Sequence, residues 1–481
     1  MVAVASTRDT MPTREGDLTI EGHGIDPIPQ AARYGSLARV FTVWFTPNLV
    51  PAAFAIGTLA AASFIGLGWW AGLAAIVLGN IISAALVGVL AAMGPRSGMA
   101  QIPAARLPFG RTIVVPGVVN WLSTIAWDAI NAFFGAYALD VISGGRIPFP
   151  VSLAVVIVCQ ALLSIVGYEA IHTFEKWAAI GLLALFAVVT VAAAPRMDFA
   201  LGNGSAASLG TFVLMTTIAG SFNFAWALYA SDYTRYLPSD APSSRVFTWT
   251  FLGLALSATW LEALGLAVTN ALGNSTADAT HQINQVVGGG VVGILAMIAI
   301  FFGTVAVNAM NDYTGSLSLL AAGVRIWRPL SAAVVGVLSF LATLYLYYGN
   351  FQSTFENYLL LITYWIGPWA AIVLVDWRLR GGRFDVHRVV DYARLPSGRN
   401  ALLALVIGFV VSIPFFNQTL YVGPMANALG GADVTYVVGF VVAGILYYLL
   451  ERSAGRTSVP EGSVPGAASP DGPVAEARAT A

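Results

Sequence analysis

Of the 23 Lys and Arg residues in this 481-residue chain, 21 fall in alternate gaps between about twelve apolar runs, and only Arg146 and Arg196 fall in the other gaps. Cationic loops stay on the cytoplasmic side of a membrane because translocating them is costly. A soluble protein has no reason to sort its charges by the parity of its hydrophobic runs. The pattern predicts an all-α polytopic membrane protein with about 12 transmembrane helices and both termini in the cytoplasm. Each run is about 20 residues, enough to cross roughly 30 Å of hydrocarbon. They lie near 40–62, 68–93, 113–141, 149–168, 173–194, 211–231, 246–270, 289–323, 329–348, 355–376, 401–416 and 434–451. Gaps near 63–67, 271–288, 349–354 and 417–433 hold no Lys or Arg, whereas six Arg lie between Arg378 and Arg399. Removing one run from the count scrambles this parity.

Composition excludes other classes. Hydrophobic residues make up 57% of the chain and charged residues 10%, far from globular averages. A net charge of −1 leaves no basic face for nucleic acid. The single Cys159 sits in an apolar run, so neither a disulfide nor a thiolate metal site is expected. The polar N-terminus lacks the short apolar core of a cleaved signal peptide, so the first span is expected to be retained. The tail after Arg452 is rich in Gly, Pro, Ala and Ser and reads as disordered.

Two spans carry interruptions. The first reads Trp44-Phe45-Thr46-Pro47-Asn48-Leu49-Val50-Pro51, and the sixth has Gly220-Ser221-Phe222-Asn223 in an equivalent place. Each proline removes a backbone donor, and freed backbone groups are tolerated in lipid only where they face protein or a polar cavity. Trp44 and Trp226 are 182 positions apart, and Asn131 and Asn311 are 180 apart. Both offsets equal five spans. An odd offset reverses orientation, the pattern of an inverted-repeat transporter with a midplane site beside two broken helices. The competing reading is that Pro and Gly are simply common in membrane helices.

Trp127 and Asn131, four apart on span three, share one helix face. An indole with an amide one turn along suits a planar heterocycle, offering a stacking surface, a donor and an acceptor. A Trp packed between helices and an Asn bridging them is the plainer alternative. Span six adds Asn223 and Trp226, and span eight adds Asn308, Asn311 and Asp312. Ionisable residues within or bordering the runs are few: Asp128, Glu175, Asp232, Glu262 and Asp312. A carboxylate at the bilayer centre costs about 2.5–3.5 kcal/mol on insertion scales, so each marks a function or a pairing. Glu262 has no evident role. No nucleophile with a partnered base and no metal-ligand cluster appears in the spans, which argues against an enzyme.

Several motifs in order resemble the purine–cytosine permease branch of the nucleobase:cation symporter-1 family. They are Ala104-Ala105-Arg106-Leu107-Pro108-Phe109-Gly110, Gly167-Tyr168 with Ile171-His172 and Phe174-Glu175-Lys176-Trp177, and Trp226-Ala227-Leu228-Tyr229-Ala230-Ser231-Asp232-Tyr233-Thr234. Ile25-Asp26-Pro27-Ile28-Pro29 and Ala53-Phe54-Ala55-Ile56-Gly57 also fit, so the resemblance runs from about residue 24 to 451. It implies a leucine-transporter-like 5+5 inverted repeat plus two peripheral helices. On that template 1–39 is a cytoplasmic segment and 40–376 the ten-helix transport core. An Arg-rich loop and the peripheral helices occupy 377–451, and a cytoplasmic tail 452–481.

The resemblance further implies cation-coupled uptake of a nucleobase. Its base-holding residues map onto Trp127, Asn131, Trp226 and Asn311, and its acidic residue at the helix 4–5 junction onto Glu175. Sodium-coupled members use helix-one carbonyls, here of Thr46 and Leu49, with a helix-eight hydroxyl pair that falls here on Val305 and Ala306. Lacking those hydroxyls, the chain is expected to couple to a proton rather than sodium, through Glu175, Asp128 or Asp312. At the Asp128 position the branch usually carries a small polar residue. The expectation is a plasma-membrane importer of cytosine or a purine, a monomer or weak oligomer with no cofactor. Trp127 and Trp226 would sandwich the ring, Asn131, Asn223 and Asn311 would read its edge, and Asn48 and Phe222 would flank it. A carrier for allantoin, hydantoin, uracil, thiamine or pyridoxine, or a nucleobase receptor that moves nothing, are the alternatives.

Overall fold

A computed structural model describes residues 25–33, 35–166, 168–199, 204–273, 275–324 and 328–455. Eight of its helices are long and apolar enough to cross a membrane, and the bent pair Leu37–Asn48 and Pro51–Leu59 makes a further crossing. Three shorter apolar helices, Phe149–Ser164, Ala333–Tyr348 and Arg399–Phe415, complete the order. Taken in sequence these fall on the twelve predicted runs and are numbered as spans one to twelve. Span two is Trp69–Ser97, five Lys176–Arg196, six Leu209–Tyr229, seven Ser243–Ala271, eight Gly290–Ala321, ten Phe351–Leu379 and twelve Thr435–Ser453; the long helix of span three is Val114–Ser143. Leu162, Val191, Leu295, Leu341 and Val410 are 52–75% exposed on spans four, five, eight, nine and eleven. Such continuous apolar surface suits acyl chains, not water.

Spans one, two, six and seven pack on one another, and spans three, four, eight and nine form a second group. Within each group the members pair at a separation of five, as an inverted repeat requires. Span five lies against span eight, and span ten against span six. Spans eleven and twelve pack on each other and on span ten. A buried carboxylate secures their connecting loop: Asp433 accepts from Tyr364 Oη of span ten and, at 2.9 Å, from the Asn417 amide. Thr217 Oγ1 of span six donates to the Asp433 carbonyl at 2.7 Å.

Span one bends by 64°. Thr46–Asn48 tighten into a 3-10 turn, Leu49 leaves helical geometry (φ −77°, ψ 64°), and Val50 is extended before Pro51 opens the second half. The cause is local: a residue preceding proline is pushed out of the helical region.

Span six differs from expectation. Its α-helix runs unbroken from Leu209 to Ala225, straight through Gly220-Ser221-Phe222-Asn223, and tightens to a 3-10 turn only at Trp226–Tyr229. Gly220 is a point of contact rather than a break. A Cβ there would stand 2.9 Å from the Gly79 carbonyl of span two. Spans one and seven meet similarly at Gly57, where a Cβ would lie 1.7 Å from the Glu262 carbonyl.

Outside the spans, the short helix Ala279–Val286 is capped by Asp278, whose Oδ1 accepts from the Thr280 amide at 2.9 Å while Oδ2 bonds His281 Nδ1. The bond to Asp278 favours imidazolium and raises the His281 pKa. The stability it contributes is fully present below the ordinary imidazole range and is lost as pH rises through the raised value. Asp278→Asn is expected to return the His281 titration, followed by NMR, toward its ordinary midpoint. Gly57→Val, forced against main chain, is expected to destabilise the protein by about 1–3 kcal/mol, read as a lower Tm in detergent. Gly181→Ala, whose Cβ meets nothing nearer than Ala299 Cβ at 3.8 Å, should not lower it.

Candidate functional site

The bend of span one and the end of the span-six α-helix meet against spans three and eight. Between them lies a cavity of about 30 Å³. Its walls include Pro47 and Val50 of span one, Trp127 and Asn131 of span three, Phe222 and Trp226 of span six, and Val307 and Asn311 of span eight. That volume holds roughly one or two waters. A planar heterocycle therefore enters only if the walls part. At the ends of the spans that join the 63–67, 271–288 and 349–354 gaps lies a vestibule of about 820 Å³, lined in part by Ala55, Thr58, Tyr137, Gln282 and Phe351.

Perpendicular neighbours fix both indoles. The Trp127 ring stands edge-on to Phe222 and Tyr358, with centroids 5.4 and 5.3 Å away. Trp226 is edge-on to Trp44 at 6.0 Å and to Tyr229 at 5.7 Å. Trp226 Nε1 donates to Asn48 Oδ1 at 2.8 Å. With its donor engaged, what this indole can offer a ligand is ring surface.

Two hydrogen-bonded chains run outward from the cavity. One passes from Trp226 through Asn48, Asn223 of span six and Asn80 of span two to Glu262 of span seven. In the other group, Asn131 Nδ2 donates to Asn308 Oδ1 at 3.1 Å, and Asn308 Nδ2 to Gln160 Oε1 of span four at 2.7 Å. Beside it two carboxyls, Asp128 and Asp312, face each other within hydrogen-bonding reach. Asn311 Nδ2 donates to Asp128 Oδ1 at 3.1 Å, and Ser164 Oγ to Asp312 Oδ2 at 2.7 Å. Their other oxygens, Asp128 Oδ2 and Asp312 Oδ1, accept from no donor among the described residues.

The cavity thus gathers Trp127, Asn131, Phe222, Trp226 and Asn311, with Asp128 behind Asn311. Asn48 and Asn223, expected at the ligand's edge, are fully buried and spend their amides in the first chain instead. The side chain of Glu175 lies outside the described residues. At the expected sodium position the Thr46 carbonyl accepts the Leu49 amide at 3.0 Å, and Val305 and Ala306 are buried without hydroxyls. Thr304 Oγ1 turns to the Asn131 carbonyl at 3.4 Å. Asn80, Gln160 and Ser164 were not anticipated. Asn80 and Gln160 are amides inside apolar runs, so the rule that intramembrane polar groups mark function would have found them.

A family model described as permease for cytosine/purines, uracil, thiamine, allantoin matches residues 27–439. A putative purine-cytosine permease, YxlA of Bacillus subtilis, is 30% identical over 90% of this chain and 96% of its own length. The purine-cytosine permease fcyB of Emericella nidulans is 27% identical over 90% of this chain and 89% of its own. Among solved structures, Mhp1, a nucleobase-cation-symport-1 family transporter, closed with bromovinylhydantoin bound, superposes with a TM-score of 0.72. That match covers 92% of this chain and 97% of Mhp1 at 20% identity, a likeness of fold. The span order, the five-span repeat and the match over nearly the whole chain lead to one conclusion: this protein belongs to the family of permeases for cytosine/purines, uracil, thiamine and allantoin.

Proposed function

We propose that this permease imports a nucleobase, cytosine or a purine, together with a proton, by alternating access across the plasma membrane, with both termini cytoplasmic. The observation that carries the reading is the cavity itself, two indoles and two amides gathered where span one loses its helical bonding. Trp127 and Trp226 provide stacking surface, and Asn131 and Asn311 provide donors and acceptors for the edge of a base. The cavity is too small for the ring as it stands. Binding must therefore part spans one and six from spans three and eight, the motion that alternating access uses.

Proton coupling is favoured by the Asp128–Asp312 pair. Two carboxyls this close, Asp128 fully buried and Asp312 partly so, repel unless a proton lies between them. Asn311 lines the cavity and donates to Asp128, so the charge on that pair bears on what Asn311 offers a base. Coupling requires this kind of difference in affinity between protonation states. The helix-eight positions Val305 and Ala306 supply no hydroxyl to a hard cation, which favours the proton over sodium.

Four measurements test the reading. A protonophore is expected to abolish concentrative uptake into proteoliposomes, while replacing sodium leaves it unchanged; the reverse result discards proton coupling. Trp127→Ala is expected to weaken base binding by roughly 1–3 kcal/mol, the loss of one stacking surface; unchanged affinity removes Trp127 from the site. Asp128→Asn is expected to lower the accumulation supported by a pH gradient at least about tenfold per pH unit, with exchange of internal for external base persisting. Competition among cytosine, adenine, hypoxanthine, uracil, allantoin, thiamine and pyridoxine identifies the substrate.

A further inference from the structure

Glu262 is fully buried in span seven. Its Oε2 accepts a hydrogen bond from Asn80 Nδ2 at 2.8 Å, and Oε1 has no hydrogen-bond partner among the described residues. Span two presents Asn80 to it and span one the backbone of Gly57. No charged or titratable side chain among the described residues acts on this carboxyl. An ionised carboxylate here would fill one of about four acceptor sites and lack the cation that a buried charge needs. A glutamine would end a chain of amides equally well. What a carboxyl adds is a proton that it can take up and give back.

The chain ending on Glu262 has a direction. Asn80 Oδ1 accepts from Asn223 Nδ2 at 2.8 Å, Asn223 Oδ1 from Asn48 Nδ2 at 3.3 Å, and Asn48 Oδ1 from Trp226 Nε1 at 2.8 Å. Every donor points toward the carboxyl. Such chains polarise cooperatively, and an ionised acceptor holds a donor about twice as strongly as a neutral one. Protonation at Glu262 therefore loosens the far end, where Asn48 sits in the bend of span one and Trp226 walls the cavity. The vestibule is also near. Gly57, against the Glu262 carbonyl, is flanked by Ala55 and Thr58, which line it.

We propose that Glu262 is a proton-binding site separate from the Asp128–Asp312 pair and linked to the substrate cavity by Asn80, Asn223 and Asn48. The proposal rests on the symport reading above and deepens it, adding a second coupled proton. A proton leaves water on the outer side and bonds to Oε1; in the inward-open form that O–H bond breaks and the proton passes to cytoplasmic water. No other bond changes.

The test uses full-length protein in proteoliposomes with the membrane voltage clamped at zero, an imposed pH gradient and radiolabelled cytosine. Each coupled proton multiplies steady-state accumulation by about tenfold per pH unit. Wild type is expected to accumulate about a hundredfold per pH unit and Glu262→Gln about tenfold, while the variant still exchanges cytosine. Glu262→Asp, which keeps the acid and shortens its reach, is expected to exchange normally with a shifted pH midpoint of accumulation. That readout also serves should the glutamine variant fail to fold. Equal accumulation by Glu262→Gln and wild type, loss of exchange in step with accumulation, or an unmoved midpoint in Glu262→Asp overturns the proposal. A wild-type protein that exchanges no cytosine overturns the symport reading of cytosine and the proposal with it.

Discussion

A main chain that leaves helical register inside hydrocarbon must bring its own hydrogen-bond partners. At Thr46–Val50 the chain departs ahead of Pro51 and closes local bonds of its own, the Leu49 amide donating to the Thr46 carbonyl at 3.0 Å and the Val50 amide to the Asn48 carbonyl at 2.9 Å. Asn48, at the bend, bonds Trp226 and Asn223 of span six and Ser257 of span seven. One buried side chain at a backbone break thus ties together three helices of one group and anchors an aromatic wall of the cavity. The placing of Trp226, and with it one wall of the cavity, depends on this tie.

Each of the two groups of four helices sends a hydrogen-bonded chain to the cavity. The first chain reaches it through Trp226 and the second through Asn131. A molecule in the cavity lined by Trp127 and Trp226 would touch both groups at once, so its binding energy would bear directly on how they sit relative to one another. That physical link makes a cavity between two such groups useful to a carrier, since occupancy and the arrangement of the groups become one equilibrium.

Much of this was legible in the residues. Apolar runs located the spans and charge parity supported their number, because lipid penalises lysine and arginine regardless of tertiary detail. The bend in span one was legible because proline acts locally. Gly220 was misread, since glycine signals either a break or a close approach and only packing against Gly79 decides between them. Asn48 and Asn223 were assigned to the ligand, although their amides point along the first chain, because direction around a helix depends on neighbours that spacing does not reveal. Glu262 stood out as a buried acid, but its partner Asn80 lies 182 positions away, beyond any local pattern.

The clasp at Asp433 has a mechanical consequence. Its side chain holds Tyr364 of span ten, and its carbonyl holds Thr217 of span six. Spans eleven and twelve are therefore fastened to two helices of the core. A swing of span ten must either rupture buried bonds or drag both outer helices through the surrounding acyl chains. Any such swing would then feel the viscosity and thickness of the bilayer, quantities that leave the choice of substrate untouched.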